Sequence, residues 1–485
     1  MQIQESVSPQ LVQEIAREVV ARLREQLAGQ HPAAVAVPRP SGGQDGVFPT
    51  VDEAVDAAYE AQKKVAELSL VDRKKMTDAI VRICNDRRVE LGTMEMEETK
   101  VGRLDHKIQK LTNMQFVKNV DSLTTQARTT TEGLCLIEHA PWGVIGMMLP
   151  VTHSVPTMAA NAINILAAGN TAIFGPHPSG QKVARYALQL WNREIEREVG
   201  IANVLTTTSA ASIEAAEQIF HHPKVALLCV TGGAAVAKAA AKSGKRVIAG
   251  GPGNPPVLVD ETADLDHAAQ CIITGAAYDN NLLCIGEKEV FVVASVADAF
   301  MAAMRRAGAY QLDPSAIERL TKAAFTFEGD GVGCGRAHLK KDLVGKGVDV
   351  LAKAAGVSVP AGVELLFGET DEQHAFVQEE QMMPFIPIVR VKNSDEAIEA
   401  SVRAEHGYHH TAIAHTRNVE TATKMARAMN TTLFITNAAS PASLGLGGPG
   451  YFSHTIATPT GEGITTPLTY TRERQIIVGN ALRII

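Results

Sequence analysis

Residues 134–179 read LCLIEHAPWGVIGMMLPVTHSVPTMAANAINILAAGNTAIFGPHPS, and the order of elements within this stretch decides the fold. Two apolar runs, Leu134–Glu138 and Gly143–Leu149, have the length and composition of strands. A helix follows from about Val155 to Ala168, a Gly-Asn turn stands at 169–170, and TAIFG at 171–175 is a third strand. Residues 180–198 read as another helix, and HHPKVALLCVTGGAAVAKAAAKSGKRVIAG (221–250) repeats strand, turn, helix, strand. Such alternation predicts an α/β protein built on a mostly parallel, doubly wound sheet. Ligands of these sheets bind beyond the carboxyl ends of the strands, which singles out Pro150–His153, Gly175–Ser179 and Thr231–Ala235. Thr231, Gly232 and Gly233 stand between a strand and a helix whose first amides are free. That pattern suits a phosphate, or an ordinary tight turn.

Outward from this core, Val51 to about Val120 has helical spacing, with Asp52 and Glu53 placed where a helix amino terminus favours them. GGPGNPP at 250–256 is too rich in Gly and Pro for a regular element, so a rigid crossing to a second unit is expected, with the boundary near 260. Beyond it, helices over 265–277, 295–307, 395–404 and 418–430 alternate with strands at 289–294, 363–367, 386–391 and 411–415. A second open sheet is the expectation. TPLTYTRERQIIV (466–478) ends as a strand, and the glycine-rich 326–362 allows no assignment.

The 485 residues are 45% apolar and 20% charged, enough to bury a large core in two or three domains. Lys and Arg number 46 against 53 Asp and Glu, a net charge of −7. That balance gives no whole-protein attraction to nucleic acid or to an anionic membrane. Residues 1–30 lack the basic start and continuous apolar run of a secretory signal. They carry instead an amphipathic stripe, Leu11, Ile15, Val19, Leu23 and Leu27, with Ser8 and Pro9 at its start. A Pro- and Gly-rich linker over 28–50 separates this helix from the body, so its apolar face is offered to a protein partner, or else folds back on the main domain.

Six cysteines form no CxxC pair and no zinc spacing, which points to a reducing, cytosolic setting and no metal. Cys284, in YDNNLLCIGEKEV, lies in a loop where a polar run meets an apolar one just before a strand. It reads either as a nucleophile or as a buried structural thiol. Cys334, in GVGCGRAH, is the runner-up.

Here the motifs converge. Over roughly residues 51–485 the chain resembles the aldehyde dehydrogenase superfamily, and within it the CoA-acylating propionaldehyde and acetaldehyde dehydrogenases of bacterial microcompartments. NNLLCIGEKEV matches the family's cysteine segment, so the resemblance makes Cys284 the nucleophile. PWGVIGMMLPVTHSVP matches the strand and loop beneath the nicotinamide, bringing in Pro150. FGPHPS puts His177 where many members carry a lysine on the adenosine ribose, and VTGGAAV puts Thr231, Gly232 and Gly233 at the pyrophosphate. QEEQMMPFIPIV aligns Glu380 with the glutamate on the nicotinamide ribose. Two departures matter. Ala249 occupies the position of the general-base glutamate of hydrolytic members, and Thr152 replaces the asparagine that donates to the oxyanion.

The resemblance implies an aldehyde dehydrogenase-like fold: a nicotinamide-binding domain (51–120 and 140–262), a catalytic domain (263–466), and oligomerisation strands (121–139 and 467–485). It also implies NAD as cofactor, coenzyme A as cosubstrate, a homodimer or homotetramer, and residues 8–27 as a targeting helix for a microcompartment shell protein. The expected reaction runs through a cysteine hemithioacetal, hydride transfer and an acyl-cysteine thioester that coenzyme A resolves. Rival readings are a hydrolytic relative, an acyl-phosphate reductase, and a non-catalytic scaffold.

Overall fold

A computed structural model describes residues 44–327 and 337–482. The helix over 8–27, most of the linker, Cys334 and the last three residues lie outside that range. The first sheet has six strands, all parallel, in the spatial order Val47–Phe48, Leu205–Thr208, Thr171–Gly175, Val144–Met148, Val225–Thr231, Val247–Gly250. Chain direction across the sheet reverses between Val144–Met148 and Val225–Thr231, so the crevice for a ligand opens there. The helix Ser154–Ala167 follows the first of these strands and is buried along its whole length. Ala159, Ala160 and Ala162 let neighbouring elements approach closely enough to close the core around it.

Two expected boundaries move. The linker ends by residue 44: Val47–Phe48 pairs with Leu205–Thr208, Phe48 is buried, and Thr50 caps the helix Val51–Val65 through Glu53 N–H. The second boundary lies earlier than 262, because Pro256–Val259 is a central strand of the second sheet. The crossing is therefore Gly251–Pro255.

The second sheet is also parallel throughout, in the order Tyr310–Gln311, Leu366–Thr370, Phe385–Val391, Glu289–Val293, Pro256–Val259, Thr411–His415, Leu433–Thr436. Its central strands are buried on both faces, as their continuous apolar sequence requires. A third sheet stands apart: Gln126–Thr130, Gly133–Pro141 and Thr471–Gly479, antiparallel and mostly exposed. Tyr470, fully buried just before the last of these strands, anchors this arm to the core. Among the described residues no helix is long and apolar enough to cross a membrane.

Candidate active site

The chain leaves the first sheet at the carboxyl end of Val247–Gly250 and enters the second at the amino end of Pro256–Val259. The carboxyl edge of one sheet thus faces the amino edge of the other. Cys284, Glu380 and His410 all lie just ahead of strands of the second sheet, at Glu289, Phe385 and Thr411. Pro150, Thr152, His177, Gly232 and Gly233 lie just after strands of the first, and Thr231 is the last residue of its strand.

The cysteine loop is built by a run of three left-handed residues, Asp279, Asn280 and Asn281, with φ of 50°, 56° and 64°. Only Asn, Asp and Gly adopt this region at low cost, and here each side chain is tied down. Asp279 accepts from Arg103 N–H at 2.7 Å and from the buried Lys110 ammonium. Asn280 Nδ2 donates to Gly102 O (3.1 Å) and Gly345 O (2.9 Å), and Asn281 Nδ2 to Ala276 O and Glu287 O, both at 2.9 Å. Lys110 also donates to His153 Nδ1 at 2.8 Å, which leaves Nε2–H of that neutral ring to donate to Leu282 O at 3.2 Å. One buried lysine therefore fastens the loop after Val144–Met148 to the loop that carries Cys284. His153 is a fixed strut in this arrangement. His454, its neighbour at 5.7 Å between ring centroids, is half-buried, and its imidazole is pulled down to about 3 by desolvation and then by Lys110.

The crossing packs directly on the loop that carries Cys284. A Cβ at Gly253 would lie 2.5 Å from Cys284 O and 3.0 Å from the His410 ring, so only glycine fits. Asn254 Nδ2 clamps the crossing to Val377 O (2.8 Å) and Ala404 O (2.9 Å), and Pro255 O accepts from Lys288 N–H at 3.1 Å. Burial raises the Glu380 carboxyl to about 7, against the opposing pull of Lys288 and of the Gly253 backbone. Burial, and then the Glu380 charge, push the Cys284 thiol up to about 12, while Lys288 opposes them. His410 is fully buried and pulled to about 4 by burial and then by Lys288, so it is neutral at pH 7. Its Nδ1 engages Thr411 Oγ1 at 2.8 Å, and its Nε2 has no partner among the described residues. Ala249, buried at its strand end, has no group that could activate water.

A dinucleotide fits the first-sheet edge. A Cβ at Gly232 or Gly233 would meet nothing within 4 Å, so the open side of this loop leaves room for a pyrophosphate beside the first amides of the helix Ala234–Ala241. Thr231 is held by Thr455 Oγ1 at 2.8 Å. His177 is exposed, with Nδ1 accepting from Ser179 N–H at 3.1 Å. Thr152 is half-buried next to the His153 strut. Sequence reasoning missed His410 and Lys288. The legible signal for His410 was its position in the loop immediately ahead of the strand Thr411–His415.

Two parallel sheets meeting edge to edge over a cysteine, with a glycine loop for a dinucleotide, define an oxidoreductase of covalent type. The aldehyde dehydrogenase family model matches residues 44–316. The chain belongs to the aldehyde dehydrogenase family, in its CoA-acylating branch. It is 41% identical to acetaldehyde dehydrogenase (acetylating) EutE of Salmonella typhimurium, over 91% of this chain and 94% of that one. It superposes with a TM-score of 0.88 and 38% identity on Rhodopseudomonas palustris propionaldehyde dehydrogenase with bound CoA and an acylated cysteine, covering 91% of this chain and 100% of that chain. A propionaldehyde dehydrogenase from the Clostridium phytofermentans fucose utilisation microcompartment gives 0.87 and 37%, with coverage of 91% and 100%.

Proposed function

We propose that the protein oxidises a short-chain aldehyde, acetaldehyde or propionaldehyde, to its acyl-CoA. The CoA-acylating, NAD-dependent class stands on the family comparisons. The residue roles are our reading. The observation that carries it is Cys284 on a rigid loop beside a neutral histidine, with alanine at 249. Cys284 Sγ attacks the aldehyde carbon, and the oxyanion takes its hydrogen bond from Cys284 N–H, with Thr152 assigned as a second donor. NAD, when bound, supplies the acceptor for the substrate's hydride. Pro150, His177, Thr231, Gly232, Gly233 and Glu380 are the residues that hold it. The thioester left on Cys284 awaits a thiol, and His410 Nε2 is free to take the proton of coenzyme A as its sulfur attacks.

Glu380 favours a second reading, since a carboxyl near 7 beside Cys284 could activate water. The deciding experiment follows NADH formation from propionaldehyde and NAD, with and without coenzyme A, and identifies the product by mass. Sustained turnover only with the thiol, yielding propionyl-CoA, is expected. Propionate formed without it would overturn the acyl-transfer reading.

Residues 8–27 are assigned as the handle for a microcompartment shell protein, and the antiparallel arm as the contact of a homodimer or homotetramer. The amphipathic stripe and the exposed arm support these two roles. Deleting residues 1–43 should leave turnover intact and abolish co-purification with shells.

A further inference from the structure

Lys288 has no part in the chemistry assigned so far, yet it is fully buried at the amino end of the central strand Glu289–Val293. Its ammonium reaches Asn281 O at 2.9 Å, Asn281 Oδ1, and Leu283 O at 3.4 Å. Three oxygens and no donor surround it, and only the charged form has three N–H groups to give them. Among the described residues it makes no ion pair. A buried, unpaired ammonium is expensive, and such groups cluster where chemistry is done.

Glu287, Glu380 and Glu289 are the acids whose charge acts on it. Glu287 accepts from Ser440 N–H (2.9 Å) and Ser440 Oγ (2.8 Å). Burial raises the Glu380 carboxyl to about 7, and Glu289 is buried with both oxygens unpartnered and driven strongly towards its neutral form by that burial. Cys284 and His410 are the remaining titratable groups on which its charge acts.

The position of the charge is specific. Leu283 O belongs to the peptide whose N–H is that of Cys284, so an ammonium on the carbonyl side polarises the amide that faces the reacting carbonyl. The same ammonium closes the turn from Asn281 to Leu283. We infer that Lys288 is a positioning residue of the reaction, fixing the loop that carries Cys284 and placing a positive charge behind it. It favours the thiolate and strengthens the Cys284 N–H for the oxyanion. The inference rests on Cys284 being the nucleophile.

The test alkylates the full-length enzyme with iodoacetamide at mildly alkaline pH and quantifies the label on Cys284 by peptide mass. Rates are compared for wild type, Lys288→Gln, Lys288→Met and Lys288→Arg, with unfolding midpoints as a check on the fold. Each neutral variant that folds should label Cys284 about tenfold more slowly, one unit of thiol ionisation, whereas Lys288→Arg stays within about threefold of wild type. Wild-type or faster labelling in a folded neutral variant overturns the inference, because a merely structural lysine would loosen the loop and expose the thiol. Collapse of both neutral variants overturns it too, in favour of a purely architectural role. Wild-type label found mainly on another cysteine would instead sink the assignment of Cys284 itself.

Discussion

A thiol pushed up to about 12 reacts slowly at neutral pH, so on the proposed mechanism the groups around Cys284 set the tempo of the first step. Glu380 is one of them, and its sign can be worked out. Its carboxyl titrates near 7, so it is neutral well below that pH and opposes the thiolate above it. Glu380→Gln should speed iodoacetamide labelling of Cys284 several-fold at pH 8, assayed without NAD, and change little at pH 6. Equal acceleration at both values would show that the variant acts through access rather than charge. His410 is neutral from pH 5 upward and keeps Nε2 for a proton. His410→Ala should lower steady-state turnover by about 10²-fold while the first, stoichiometric formation of NADH survives in stopped-flow. Loss of that first phase would move His410 from the thiol-transfer half to the aldehyde half.

Gly253 is the tightest point of the crossing, at the scale of single elements. Gly253→Ala drives a methyl into Cys284 O and the His410 ring, so we expect kcat/KM to fall by at least about tenfold, since small misplacements are costly. Its unfolding midpoint should fall as well, by calorimetry. The elements themselves were largely legible. TAIFG forms the strand Thr171–Gly175, and Leu265–Ala277 is a helix, because apolar period and bounding Gly or Asp leave little choice. Leu205–Thr208 was not read, since LTTT carries no run of large apolar residues to announce a buried strand. Nor could sequence reveal the three consecutive left-handed residues before Cys284. DNN permits that conformation, but Lys110 and Gly345, which hold it, lie far away in the chain. The crossing was recognised as rigid from its composition, yet its end was misplaced because PVLV at 256–259 reads equally well as a tail of the first unit.

Over the whole molecule, the arm is the part least able to stand alone. Three antiparallel strands with exposed Ile476 and Ile477 make a marginal sheet in water, and in the proposed oligomer a second copy covers them. Ile477→Asp should shift the mass by light scattering towards a monomer and leave the coordinates of the nucleophile untouched, so labelling of Cys284 stays at the wild-type rate. An unchanged mass would place the contact elsewhere. The sheets also meet carboxyl edge to amino edge, and within the five residues Gly251–Pro255 that join them Gly253 packs on the loop that carries Cys284. Such a joint cannot serve as a jaw. Any gaping of the two halves would drag the cysteine out of register. On the proposed mechanism the acyl group waits between the two half-reactions on a loop packed against that joint, and spent dinucleotide would leave along the edge of the first sheet without the two sheets parting.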